Sequence, residues 1–229
     1  MYRAVAARGN YLAQDRIDIQ FAAKEISRFM SKPEKEDWLR AKRLARYLKG
    51  SERVVVRFDF QNMPEEVVAW SDTDFAGCRR ARRSTSGGVV MLGSHCVKTY
   101  SLTQDTIALS SGESEFYGIV KAAAQGLGIK GLMMDMGLSM ELRVNTDSSA
   151  AKSIASRRGC GKVRHLEVRE LWLQDRVAKG ELQVRKVRGE DHIADILTKH
   201  VGRETLDRHM HTAGYERRCG RHPLSPALG

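Results

Sequence analysis

The sequence predicts an α/β fold: a five-stranded mixed sheet flanked by helices, with a helical appendage at the N-terminus. Three observations carry this. Apolar residues recur at helical spacing up to Gly50, the period then drops to two, and after residue 101 helix-like and strand-like stretches alternate. A meander followed by β-α-β units gives three antiparallel strands and then parallel additions.

The elements follow in order. Residues 11–49 read as two helices. Ile19, Ala22, Ile26 and Phe29 mark the apolar face of the first, and Trp38, Ala41, Ala45 and Leu48 that of the second. Lys32-Pro33-Glu34 supplies a helix start, and Gly50 a stop. The opposite face of the second helix carries Arg40, Lys42, Arg43, Arg46 and Lys49, either a solvated surface or a strip that tracks phosphates. Val54, Val56, Phe58 and Phe60 alternate with polar residues and predict a half-buried strand. Residues 67–72 form a mostly apolar strand, and Gly87–Leu92, Gly93-Ser94 and Cys96–Tyr100 form a hairpin. Ser110 and Glu113 make a capping box opening a helix to about Gln125. A strand (141–147), a short helix (148–156), a longer helix (163–178), a strand (181–188) and a final helix (191–199) complete the pattern. The polar stretch 206–229 reads as a frayed tail.

At 229 residues the chain can bury one good core, or one core with an appendage. It has no apolar run of about 18 residues, so no membrane span is expected, and its first ten residues are too polar for a signal peptide. A formal charge of +11 favours a polyanionic partner. Four scattered cysteines without a Cys-x-x-Cys pair argue against zinc or a disulfide framework, and fit a reducing, intracellular compartment.

Four acids stand where packing alone does not explain them: Asp72, Glu115, Asp147 and Asp195. Asp72 and Asp74 share one strand face, and the spacing does not choose between them as ligand or turn former. Glu113 is accounted for by the capping box, which leaves Glu115 as the better candidate. Asp147 precedes Ser148-Ser149 and could equally be a helix N-cap, and Asp195 could lie on an exposed helix face. Carboxylates gathered at one point repel one another unless a cation neutralises them. Hard, hydrated Mg²⁺ suits such oxygen ligands. Arg79, Arg80, Arg82 and Arg83 crowd the loop after Asp72, and Arg157, Arg158, Lys162 and Arg164 form a second basic stretch; both are candidate phosphate contacts.

Five segments then fall into a familiar order: Ser71–Gly77, Arg82–Gly87, Ala108–Phe116, Thr146–Ala150 and Ala194–Lys199. Together they resemble the ribonuclease H domain of copia-type (Ty1/copia) retrotransposon Pol polyproteins. Upstream, Tyr11–Ile19, Ser27–Ser31 and Tyr47–Gly50 resemble the reverse transcriptase connection that precedes it. The resemblance covers roughly residues 11–205. It implies a ribonuclease H-like fold over 51–205, a connection remnant over 1–50, and Asp72, Glu115, Asp147 and Asp195 as catalytic, metal-binding acids. It also implies hydrolysis of the RNA strand of an RNA–DNA hybrid with two Mg²⁺ ions, for which Mn²⁺ can substitute, leaving a 3′-hydroxyl and a 5′-phosphate.

The chain shows no Tyr-x-Asp-Asp polymerase signature and no protease or integrase motif, so it reads as part of a larger polyprotein. The expected partners are a hybrid duplex and the polymerase part of that polyprotein, with no membrane and no small-molecule cofactor, in a cytoplasmic particle or the nucleus. A third reading, a structural module that needs the polymerase to fold or act, would leave the apolar face of helices 17–48 as an orphaned interface. An inactive nucleic-acid-binding remnant is the alternative. The loop histidine common in cellular ribonucleases H has no clear counterpart; His165 and His192 are assigned no catalytic role.

Overall fold

The computed structural model describes residues 1–78, 80–161, 171–220 and 222–225. Its helices are α1 (Tyr2–Leu12), α2 (Gln20–Ser27), α3 (Lys35–Gly50), α4 (Ser111–Asp135), α5 (Ser149–Ser156), α6 (Trp172–Ala178) and α7 (Arg203–Thr212). Its strands are β1 (Arg53–Val56), β2 (Glu66–Asp74), β3 (Thr85–Leu92), β4 (His95–Thr103), β5 (Glu141–Thr146), β6 (Gln183–Lys186) and β7 (Tyr215–Arg218).

Five strands form the main sheet in the order β4-β3-β2-β5-β6. β2, β3 and β4 are antiparallel neighbours, whereas β5 joins β2, and β6 joins β5, in parallel. This is the predicted ribonuclease H-like arrangement, with β2 at the centre. Alternation along β2 explains its near-continuous apolar run, because both faces are covered. Val67 and Ala69 pack with Phe116, Ile119 and Ala123 of α4, while Val68 faces Ile193, Leu197 and Met210.

Several elements differ from the sequence reading. The strand expected over residues 53–60 stops at Val56 and lies outside the main sheet, pairing antiparallel with β7. Phe58 and Phe60 are exposed, because period-two alternation states which side a strand would bury but supplies no partner for it. The frayed tail expected from residue 206 is instead α7 and β7, with Met210, Ala213 and Tyr215 buried. The helix expected over 191–199 is replaced by two 3₁₀ turns, Gly189–Asp191 and Ile193–Leu197. The second turn buries Ile193, Ala194, Ile196 and Leu197, a nearly continuous apolar run that offers no helical period. Of the helix expected over 163–178, residues 163–170 lie outside the described residues, and α6 occupies 172–178.

The N-terminal helices cover their own apolar faces. Ile19, Ala23, Ile26, Ala41 and Leu44 cluster with Tyr2 and Ala6 of α1, a helix the sequence reading lacked, so the face expected to be bare is buried. α2 is fastened across the β3–β4 hairpin. Gln20 Nε2 donates to Thr99 Oγ1 at 2.7 Å, Lys24 Nζ to Thr85 Oγ1 at 2.7 Å, and Arg28 to Thr103 Oγ1 at 2.9 Å.

Candidate functional site

Parallel neighbours end at the same edge of a sheet, and the site grows from that fact. The β2–β5 register pairs Trp70 with Asn145, so Asp72 and Asp147 each stand two residues beyond that pair. Ser148, not Asp147, caps α5, its Oγ accepting from the Ala151 amide at 3.2 Å, which leaves the Asp147 carboxylate out of the cap. On α4, Ser110 accepts from the Glu113 amide at 3.2 Å, while the Glu113 carboxylate takes the Leu109 amide and the Tyr117 hydroxyl. Glu113 is thus consumed in the helix start, and Glu115 is turned toward Asp72.

Two glycines permit the close approaches. A Cβ at Gly118, one turn past Glu115, would lie 2.5 Å from Thr73 Oγ1 and 2.8 Å from Ser71 Oγ. One at Gly87, paired with Asp72 across β3, would lie 2.7 Å from both Leu197 Cβ and Thr198 Cγ2. Gly118 therefore lets α4 settle on β2, and Gly87 lets the 3₁₀ turn settle over Asp72.

The outcome is two overlapping groups. Ligand oxygens of Asp72, Glu115 and Asp147 lie within 4.8 Å of one another, as do ligand atoms of Asp72, His192 and Asp195. All four predicted acids are thereby gathered, with the buried Asp72 common to both groups. Asp74 belongs to neither and instead lies against Gly77.

Like charges this close repel by roughly 3 kcal/mol per pair at an effective dielectric constant of 20. The site registers that repulsion. Burial, reinforced by the Asp72 and Asp147 charges, pushes the Glu115 carboxyl up to about 9, against the opposing pull of Lys199 and the Thr73 amide. Glu115 Oε2 and Asp195 Oδ1 are buried without a hydrogen-bond partner among the described residues. Oxygen-rich, under-neutralised and with orphaned acceptors, the group fits a divalent cation.

Three further side chains complete the site, and the sequence reading gave them no role. The Thr198 hydroxyl donates to Asp72 Oδ2. Lys199 Nζ pairs with Asp195 Oδ2 at 2.9 Å. Burial opposes the Lys199 charge, but its hydrogen bond to Asp195 and the nearby carboxylates outweigh that and raise its pKa. His192 is wholly buried beside Trp70. Thr198 and Lys199 belong to the Ala194–Lys199 segment that carried the family resemblance, so a signal for them was present.

The basic residues fare unevenly. Arg80 departs from the expected phosphate role: its guanidinium pairs with Glu34 at 2.7 Å and Asp37 at 3.1 Å and covers the Phe29 ring, tying the loop after β2 to the N-terminal helices. Arg157 folds back onto the Cys160 carbonyl. Arg82, Arg83 and Arg158 are exposed. Arg79, Lys162, Arg164 and His165 lie outside the described residues. A cavity of about 680 Å³ opens between α2, α3 and the 196–206 segment, with Arg40, Arg43, Arg46, Lys199 and Arg203 among its lining.

No family model matches the chain. It is 27% identical, over 94% of its length, to the retrovirus-related Pol polyprotein from transposon RE1 of Arabidopsis thaliana. It is 28% identical, over 84% of its length, to that from transposon TNT 1-94 of Nicotiana tabacum. Its homologues are thus Pol polyproteins of copia-type transposons, similar to it over most of its length. The chain spans only 15% and 14% of those two relatives. Among solved structures it is similar to the N-terminal RNase H domain of rv2228c from Mycobacterium tuberculosis, at 18% identity and a TM-score of 0.40, covering 65% of this chain and 98% of that one. The fold assignment rests on strand order, not on that superposition. No helix among the described residues is long and apolar enough to cross a membrane.

Proposed function

We propose that this chain is a metal-dependent ribonuclease H that hydrolyses the RNA strand of RNA–DNA hybrids during reverse transcription. The observation that carries the reading is the convergence of Asp72, Glu115 and Asp147 within 4.8 Å, with Asp195 in a second such group that shares Asp72. Asp72, Glu115 and Asp147 would hold one divalent cation, with Mg²⁺ suited to their oxygens, and Asp72 with Asp195 a second. A pair of such ions supplies charge neutralisation at the scissile phosphate and acidifies the attacking water.

The chain's own residues prepare that chemistry. With its carboxyl raised to about 9, Glu115 would hold a proton near neutral pH and would give it up to serve as a ligand, since ligands bind as carboxylates. Thr198 fixes one oxygen of Asp72, and Lys199 one oxygen of Asp195, which orients the remaining lone pairs toward the site. Lys199 also offsets part of the negative charge before any cation arrives.

The hybrid is held by its backbone. Arg43, Arg46 and Arg203, lining the cavity that Lys199 shares, are the phosphate contacts we favour, together with exposed Arg82, Arg83 and Arg158. Discrimination of RNA from DNA falls to the 2′-hydroxyls. The remainder of the polyprotein, its polymerase part included, is the partner expected in the intact protein, acting in a cytoplasmic particle or the nucleus.

The test is cleavage of labelled hybrid, RNA–RNA and DNA–DNA duplexes in Mg²⁺ by wild type, Asp72→Asn and Asp147→Asn. Hybrid-selective cleavage lost in both variants supports the reading. Equal cleavage by all three proteins would assign the activity to a contaminant. No cleavage with intact, salt-dependent hybrid binding would replace the enzyme with a binding remnant.

A further inference from the structure

The catalytic reading uses four carboxylates and leaves His192 unexplained. Its side chain is fully buried, with neither ring nitrogen engaged in a hydrogen bond among the described residues. A buried imidazole without a partner is costly, because it has given up water and received nothing in exchange. The ring lies in van der Waals range of Trp70, edge to face at 5.6 Å between centroids and 83° between planes.

Nδ1 lies 4.0 Å from Asp195 Oδ1, too far for a hydrogen bond. Asp195 Oδ1 is itself buried and unpartnered among the described residues, because Lys199 occupies Oδ2. Asp72 completes the group: one ligand atom from each of Asp72, His192 and Asp195 falls within 4.8 Å of the others. Three donors spread around one cation, each at about 2.2 Å, stand about 3.8 Å apart, so a closure of up to about 1 Å would bring all three onto one ion. Two neighbouring lone-pair donors, each lacking a proton donor and held by packing, describe a place for a cation rather than an ion pair.

We propose that His192 is a metal ligand, and that Asp72, His192 and Asp195 form a mixed nitrogen–oxygen site selective for a first-row transition cation such as Mn²⁺ over Mg²⁺. The inference rests on the metal-dependent reading of the same site and adds to it a division of labour. The Asp72–Glu115–Asp147 group offers only oxygen and suits Mg²⁺, whereas imidazole raises affinity for the borderline metals and gives Mg²⁺ little. Asp72 bridges the two positions.

The probe is Mn²⁺ alone, bound to the full chain and read by pulsed electron paramagnetic resonance. The expected result is echo modulation from a directly bound ¹⁴N that changes to the ¹⁵N pattern when histidine is ¹⁵N-labelled. His192→Phe keeps the volume and the contact with Trp70. In that variant the nitrogen signal should vanish and Mn²⁺ affinity fall by at least about tenfold, while Mg²⁺ affinity stays within about twofold. His192→Asn should give the same outcome, and if neither variant folds the labelled wild-type spectrum decides by itself. Bound Mn²⁺ with no histidine nitrogen coupling overturns this inference and leaves the carboxylate site standing. Failure of the chain to bind Mn²⁺ at all overturns both.

Discussion

Glu115 shows at the scale of one residue what the fold does to an ordinary side chain. An acid inside a helix is commonly surface decoration, yet here burial and two neighbouring carboxylates raise it to about 9. The sign of the linkage follows. Because the folded pKa exceeds the unfolded value, the contribution to metal-free stability is full below the unfolded carboxylate pKa and is lost as pH rises toward 9. Glu115→Gln, uncharged at every pH, should raise the melting temperature of the chelated protein at pH 9 by at least about 3 °C and flatten its pH dependence. Thermal scans in chelator check this, and an unchanged slope would show that Glu115 is not the titrating group. Mg²⁺ affinity of the wild type should rise by as much as about tenfold per pH unit from pH 6 to 8.5, as the cation displaces a proton, which calorimetric titration reads directly. The four acids were legible in the sequence, although Asp72 against Asp74 was not. Thr198 escaped because its role needs proximity to Asp72, 126 residues away, and Lys199 and His192 because their neighbour Asp195 gains its meaning only beside Asp72.

Among the elements, legibility followed periodicity. β2 to β5 and the start of α4 were readable because short apolar runs, the Gly93-Ser94 turn and the Ser110 cap are local signals. β1 was over-extended because its partner, β7, lies some 160 residues further on, and the turn at Ile193–Leu197 was drawn as a helix because an apolar run has no preferred face. The contact between α4 and β2 makes a sharp prediction. Gly118→Ala gains about 1 kcal/mol of helix propensity. It also forces a methyl into space that Thr73 Oγ1 and Ser71 Oγ already occupy, an overpacking cost of about 1–3 kcal/mol. Net stability should therefore fall only modestly, by up to about 2 kcal/mol. Cleavage should fall further, by at least about tenfold, because α4 carries Glu115 with it. Denaturant melts set beside single-turnover rates separate the two, and a loss of activity no larger than the loss of folded protein would remove the positioning role.

For the whole molecule, the net charge of +11 meets the carboxylate cluster along one surface: Lys199 bonds Asp195 and also lines the cavity with Arg43 and Arg46. The basic face of α3 was visible in the sequence, but its neighbourhood was not, since only the packed N-terminal helices bring it beside Lys199. Arg43→Glu with Arg46→Glu should weaken hybrid binding similarly for all sequences and flatten the salt dependence by about one unit of slope per lost phosphate contact. Anisotropy titrations across a salt series measure this, and an unaltered slope would move the hybrid off that face. The most direct test of the central claim is the chemistry of the product ends from a uniformly labelled hybrid. Cleavage confined to the RNA strand, leaving 5′-phosphate and 3′-hydroxyl termini and abolished by chelator and by Asp72→Asn, is the predicted result. Cyclic phosphate ends, or the same products from Asp72→Asn, would contradict it.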